Sequence, residues 1–279
     1  MQVFTIDLKK EYPFLHGGEL QGLVMNNPYD WGAEPDWKRP AVIVVPGGGY
    51  AHASGREKMP IAHAFLAQGY QVFVLNYLCG DEHARYPEQL LEEAAAVDCI
   101  KKNADAWKVN KDEIFLVGFS AGGHLVANLA VEHQNVEEKA GVALDCKPTA
   151  VGLSYPVISS THGHFGSYEN LLKGYSEEEA QALRKKLNLD EAVSKQTPPA
   201  FIWTTATDAV VPADNAIRYA LALDRNGISY ELHVYPDGPH GLSTAHLDVN
   251  VKLTEVQKRA TRWVEDCARF FRMFTVEEF

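Results

Sequence analysis

The sequence predicts a doubly wound α/β protein on a mostly parallel sheet, and three observations predict it. Short apolar runs recur along the 279 residues, longer helical patterns separate them, and several runs are apolar at consecutive positions. Consecutive apolar positions suit strands covered on both faces, as in a parallel sheet. Their alternation with amphipathic helices is the mark of βαβ units.

The elements follow in order. Val3 to Leu8 and Glu19 to Met25 read as antiparallel edge strands, and Ala41 to Val45 as the first strong strand. A helix over Met59 to Gln68, closed by Gly69, leads to a strand over Gln71 to Tyr77. The next helix, Pro87 to Ala106, lines up Leu90, Ala94, Val97, Ile100 and Ala104 on one stripe, with Pro87 in a first-turn position. Glu113 to Val117 is a strand that runs into Gly118-Phe119-Ser120-Ala121-Gly122, where a helix begins at Ala121. Strands over Ala150 to Leu153, Ala200 to Thr204 and Glu231 to Tyr235 complete the set, with Trp203 and Tyr235 assigned to strand packing. A helix over Pro212 to Arg225 stops at Asn226-Gly227, a C-cap signal, and the last helix is predicted over Val249 to Phe271. Residues 159–197 break the alternation. They are polar, and Ser176 with Glu179 forms a capping-box pattern at the head of a short surface helix. This stretch reads as a small lid-like excursion on a single domain spanning residues 1–279.

Composition narrows the function. A hydrophobic fraction of 46% and a charged fraction of 23% are ordinary globular values. The net charge of −11 repels phosphate backbones, which argues against nucleic acid as a partner. Cys79, Cys99, Cys146 and Cys267 are scattered and form no Cys-x-x-Cys pair, so free thiols in a reducing compartment are expected. The N-terminal residues lack a basic leader followed by an apolar stretch, and no apolar run approaches the ~20 residues of a membrane span. The expectation is a cytoplasmic protein without a membrane partner.

The chemistry centres on Ser120. A serine on a sharp strand-to-helix turn has its hydroxyl pushed out of the sheet, with helix N–H groups behind it. A serine hydroxyl needs a base, and a base needs an orienting acid. Asp208 lies in the loop after the strand at Phe201 to Thr204, whereas its rival Asp214 falls in a helix first turn. His240 lies in the Gly/Pro loop after the last strand, and His233 and His246 are less well placed. The first strong strand ends in Pro46-Gly47-Gly48-Gly49-Tyr50. A phosphate cradle is disfavoured there, because the motif lacks a Gly-Lys-Ser/Thr ending and Gly-x-Gly-x-x-Gly spacing. The preferred reading is an oxyanion hole, with Gly48 and Gly49 as donors and the Ala121 N–H completing it. Tyr50, His52 and Ser54 are candidates for substrate contact, with loop packing as the competing reading. His124, one turn past Ser120, reads as a structural helix residue. His162-Gly163-His164 has no carboxylate or thiol pattern to complete a metal site, and neither a metal nor a cofactor is expected.

These residues, in this order, resemble the α/β-hydrolase superfamily. Within it the chain is similar to bacterial carboxylesterases related to hormone-sensitive lipase and to acetyl-xylan-esterase-like enzymes. The likeness rests on Pro46 to Tyr50, Gly118 to Leu125, Asp208 and Gly238-Pro239-His240-Gly241, within a match from about residue 40 to 273. It implies an α/β-hydrolase fold with little or no cap domain, Ser120 as nucleophile, His240 as base and Asp208 as its partner. Pro46 departs from the histidine of hormone-sensitive-lipase relatives and shifts the likeness toward the small carbohydrate-esterase-like branch. The implied activity is hydrolysis of short-chain esters, acetyl foremost, with a small-molecule ester as partner and a sugar as a candidate alcohol. A prolyl-oligopeptidase-like peptidase and a non-catalytic ligand-binding protein on the same fold are the alternatives. A homodimer is compatible with such hydrolases, but no residue pattern specifies one.

Overall fold

A computed structural model describes residues 1–28, 36–162 and 164–276. Eight strands form one sheet: β1 (Gln2–Asp7), β2 (Glu19–Val24), β3 (Arg39–Val45), β4 (Gln71–Asn76), β5 (Val109–Phe119), β6 (Ala150–Ser154), β7 (Ala200–Thr205) and β8 (Tyr230–Tyr235). Their order is β1-β2-β4-β3-β5-β6-β7-β8. The β1–β2 and β2–β4 pairs are antiparallel and all the others are parallel. The helices are α1 (Leu8–Glu11), α2 (Met59–Ala67), α3 (Glu88–Lys102), α4 (Ala121–Glu132), α5 (Val136–Ala140), α6 (Phe165–Leu171), α7 (Glu177–Lys186), α8 (Leu189–Ala192), α9 (Asp214–Arg225) and α10 (Trp263–Arg272).

The consecutive apolar positions of the strands are explained by two cores, one on each face of the sheet. In β3, Ala41, Ile43 and Val45 face one core while Val42 and Val44 face the other. In β5, Ile114 and Leu116 alternate in the same way with Phe115 and Val117. Helices α3, α4 and α9 cover the first face; α2 and α10 cover the second. On the second face Phe271 of α10 stacks on Phe115 with ring centroids 4.4 Å apart. Burying such a ring contributes about 3 kcal/mol, which is why a period-2 pattern is invisible in these strands and a two-sided one appears.

The parallel connections also fix where a site can lie. The chain passes from β3 to β4 on one side and then returns to β5 on the other side of β3. The crevice beyond the carboxyl ends of β3 and β5 is therefore the topological switch point, the usual place for ligands in such sheets. The triple-glycine loop follows β3, and Ser120 follows β5.

Several boundaries differ from the sequence reading, most of all the last helix. Residues 249–256 are not helical; a 3-10 turn spans Gln257–Arg262 and α10 starts at Trp263. The Asn250 amide instead donates to the carbonyls of Leu242 and His246, which ties this segment to the loop carrying His240. The start signal lies later, at Thr254. Its N–H donates to Gln257 Oε1, and the Gln257 N–H donates to Thr254 Oγ1, the reciprocal pair of a capping box. Helix α3 ends at Lys102 rather than Ala106, with the Asn103 amide turned back to the Cys99 carbonyl. Residues 159–197 form a small excursion, as expected, but hold the three short helices α6, α7 and α8 where one was expected. Ser176 and Glu179 form the expected capping box of α7.

Among the described residues, no helix is long and apolar enough to cross a membrane, and all four cysteines are free thiols.

Candidate active site

The turn between β5 and α4 is as tight as the sequence suggests. Ser120 adopts φ 53° and ψ −116°, a conformation rarely open to a residue with a side chain. Its N–H donates to Ser154 O of the adjacent strand, and its own carbonyl accepts from the N–H groups of His124 and Val157. Backbone bonds on both sides thus hold the strained residue. Gly122 is obligatory, because a Cβ there would overlap the carbonyl oxygens of Val45 and Pro46. The close approach of α4 to the end of β3 depends on it.

Three side chains from three strand ends meet at this turn. His240 Nε2 lies 2.8 Å from Ser120 Oγ, and His240 Nδ1 lies 2.7 Å from Asp208 Oδ2. The Asp208 side chain is 1% exposed and that of His240 17%. Asp208 is aimed by its own loop: Oδ1 accepts the N–H groups of Val210 and Val211 at 2.9 and 3.0 Å, leaving Oδ2 for the imidazole. The loop carrying His240 is pinned by Thr205 Oγ1, which donates to Gly238 O, and by the Gly238 N–H, which donates to Thr207 Oγ1. Asp214, the rival acid, pairs instead with Arg218 and His162.

The triple-glycine loop faces the same turn. Gly48 has φ +124° and Gly49 φ +63°, values that orient successive amides in ways a chain with side chains seldom permits. The Gly47 N–H is committed to Glu57 Oε2 at 2.9 Å. Among the described residues no acceptor engages the N–H groups of Gly48, Gly49 or Ala121. Helix α6 packs over this loop. The Asn170 amide donates to Gly49 O at 2.8 Å, and both His164 and Ser167 face the bare α-carbon of Gly49.

Other sequence candidates are placed differently. Tyr50, expected as a possible substrate contact, is 2% exposed and turned inward, its hydroxyl donating to His124 Nδ1 at 2.8 Å. It supports the loop from behind because the positive φ of 61° swings its ring into the core. His52 is exposed, and its N–H donates to Gly48 O. His124 is fully buried, and its Nε2–H donates to Leu187 O at 3.2 Å. Burial lowers its pKa to about 4, so it is a neutral structural histidine. His162 pairs with Asp214 and His164 with Ser167, while Gly163 between them lies outside the described residues. Among the described residues no group of three or more His, Cys, Asp or Glu side chains is arranged to hold a metal.

Two buried residues beside the site escaped the sequence reading. Glu57, on the 3-10 turn Gly55–Glu57, accepts from Gly47 and from the Tyr155 hydroxyl, and the Tyr155 ring stands edge-on to His240 at 5.0 Å. A lone glutamate before a helix reads as a solvated helix start, and nothing local marks it as buried.

Comparison with known proteins agrees with this architecture. The chain is 36% identical over 217 residues to endo-1,4-beta-xylanase B of Butyrivibrio fibrisolvens, covering 76% of this chain and 34% of that protein. It is 29% identical over 205 residues to an acetylxylan esterase of Xylanibacter ruminicola, covering 72% and 40%. The chain therefore spans about a third to two fifths of the length of these curated relatives. Solved structures match over nearly their whole length. The carboxylesterase Cest-2923 of Lactobacillus plantarum superposes with a TM-score of 0.82 at 28% identity, covering 98% of each chain. An acetyl ester-xyloside bifunctional hydrolase of Caldicellulosiruptor lactoaceticus gives 0.80 at 28% identity, covering 97% and 96%. The BD-FAE family model matches residues 32–223, well over half of the sequence, and the chain belongs to this family of α/β-hydrolases.

Proposed function

We propose that this chain is a serine carboxylesterase that hydrolyses short-chain esters, acetyl foremost, of acetylated carbohydrates. The observation that carries the reading is the hydrogen-bonded chain from Asp208 through His240 to Ser120. His240 Nε2 takes the proton of Ser120 Oγ as that oxygen bonds to the acyl carbon. Asp208 holds the Nδ1–H and stabilises the imidazolium that forms. The carbonyl oxygen, now negative, is received by the N–H groups of Gly48, Gly49 and Ala121. Collapse breaks the bond to the alcohol oxygen, which takes the proton from His240. Water then repeats the sequence on the acyl-serine and releases the acid. The chemistry needs no cofactor.

The preference for a small acyl group is supported by α6, which closes over the oxyanion loop through Asn170, His164 and Ser167. The carbohydrate alcohol is supported by the acetylxylan esterase of Xylanibacter ruminicola and by the acetyl ester-xyloside hydrolase among the similar proteins. The test is turnover of p-nitrophenyl acetate and acetylated xylo-oligosaccharides by the wild type and Ser120→Ala. A loss in kcat of about 10⁴- to 10⁶-fold is expected, with labelling by a fluorophosphonate only when Ser120 is present. Wild-type turnover by Ser120→Ala would overturn the mechanism, and preference for decanoyl over acetyl esters would overturn the acyl assignment.

A further inference from the structure

Glu57 is 5% exposed, sits ten residues beyond Gly47 in the chain, and is bound from two directions. Its Oε2 accepts the Gly47 N–H at 2.9 Å and its Oε1 accepts the Tyr155 hydroxyl at 2.6 Å. The Tyr155 oxygen in turn accepts the N–H of Ser243, three residues past His240, at 3.0 Å. Ser243 Oγ donates back to Arg56 O, the neighbour of Glu57. Four segments are thereby closed into one ring of bonds: the triple-glycine loop, the Gly55–Glu57 turn, the residue after β6 and the loop carrying His240.

The donors in this ring favour the ionised carboxylate. Tyr155 O is occupied as an acceptor by Ser243, so its own proton goes to Glu57. Glu57 then receives two donors and has no need of a proton. A protonated carboxyl would bring a further hydrogen to a place where both neighbours already donate. The groups facing the carboxylate are the Tyr155 hydroxyl, the Gly47 amide, His240, Arg56 on the same turn, and Tyr77 beyond β4. Burial holds the Glu57 carboxyl above the usual carboxylate range, and the bonds from Tyr155 and Gly47 with the charges of His240 and Arg56 offset part of that rise.

We propose that Glu57 is a positioning residue for the reaction, its carboxylate clamping the oxyanion loop to the histidine loop and setting a second negative charge behind the imidazole of His240, across Tyr155. The inference rests on the esterase reading above. Gly47 leads directly into Gly48 and Gly49, so a fixed Gly47 aims the amides that follow. Tyr155 fixes the face of the His240 ring. A carboxylate in a water-poor site also favours the imidazolium that develops as Ser120 attacks.

The experiment compares wild type, Glu57→Gln, Glu57→Asp, Tyr155→Phe and the Glu57→Gln/Tyr155→Phe double variant on p-nitrophenyl acetate from pH 5 to 9, with thermal unfolding of each. Glu57→Gln is expected to lower kcat by about 100-fold with KM changed by less than about threefold. The acid limb of its kcat/KM profile moves to lower pH, because a negative charge near the base is gone. Glu57→Asp restores the charge and recovers part of the loss. Tyr155→Phe is expected to lower kcat by about tenfold, and the double variant to lose little beyond Glu57→Gln, since both cut one chain. A folded Glu57→Gln with wild-type kcat and an unmoved acid limb overturns the proposal. Should Glu57→Gln not fold, wild-type kcat in Tyr155→Phe overturns it. Ser120→Ala, run beside these, separates the two ideas: if it keeps turnover, the esterase mechanism falls, and if it is inactive while Glu57→Gln is unaffected, only the role of Glu57 falls.

Discussion

The elbow at residues 118–122 and the excursion at residues 159–197 both border the same crevice, but different bonds hold them. At the elbow the backbone does the holding: Ser120 is fixed by main-chain bonds to Ser154, His124 and Val157, and Gly122 lets α4 touch the end of β3. The excursion is held mainly by side chains. Asn215 Oδ1 accepts the N–H groups of Ile158 and Ser159, Asn188 Oδ1 accepts from Ser160, and Tyr168 donates to the carbonyls of Ile158 and Leu187. A backbone-held element tolerates little substitution at its turn yet keeps its geometry to a fraction of an ångström. A wall tethered by side chains can be reshaped one residue at a time. Under the proposed function, bond chemistry belongs to the first region and substrate fit to the second.

The two regions should respond differently to substitution. The largest concerns the elbow side. Asp208→Asn keeps the shape but offers the imidazole the wrong partner, and kcat on acetyl esters should fall by about 10⁴-fold with little change in unfolding temperature. A loss under tenfold would remove Asp208 from the hydrogen-bonded chain. The second concerns the bond between the regions, His124 to Leu187 O. The imidazole is held neutral with its pKa lowered to about 4. A folded pKa below the unfolded value of about 6.5 means that the unfolded chain binds the extra proton first. Stability is thus retained above about pH 6.5 and lost on acidification toward pH 4, by about 3 kcal/mol in all. Urea unfolding of wild type and His124→Gln between pH 4 and 8 should show this slope only in the wild type. Equal slopes would contradict the assignment.

The third prediction lies within the excursion. Asn215→Ala leaves the Ile158 and Ser159 N–H groups without their acceptor and should cost about 2 to 3 kcal/mol of stability. It should also raise KM for bulky esters more than for p-nitrophenyl acetate. An equal change in kcat on all esters would place the wall in the chemistry and erase the contrast. The smallest effect is expected for Asn170→Ala. It removes the bond from α6 to Gly49 O and should cost about 1 kcal/mol, with acyl-length preference relaxed toward butyryl. Unfolding curves and an acyl-ester panel check both quantities.

How much was legible beforehand depended on how local each cause is. Strands β3 to β7 could be read because burial on two faces leaves a continuous apolar run, whereas β8, at the sheet edge, is only partly buried. Ser120, Asp208 and His240 could be found because each follows a strand, and chain order restricts which loop can meet which. The overlong last helix came from apolar periodicity read without the Thr254/Gln257 start signal. Of the two readings open for Tyr50, the structure shows packing, with the ring buried and its hydroxyl on His124. Glu57 and Tyr155 gave no local sign, since their partners lie 98 residues apart and meet only across the sheet.

The alternation of strands and helices, the sharp serine turn and the bare amides after β3 are written in the order of residues, because they follow from side-chain size, glycine and the two-sided burial of short apolar runs. Which buried polar groups face one another is set by the packing of the folded chain. The neutral state of His124, the inward turn of Tyr50 and the ring joining Glu57, Tyr155 and Ser243 arise from contacts between distant segments, and a charge or hydroxyl has no partner until the sheet brings one within hydrogen-bond reach.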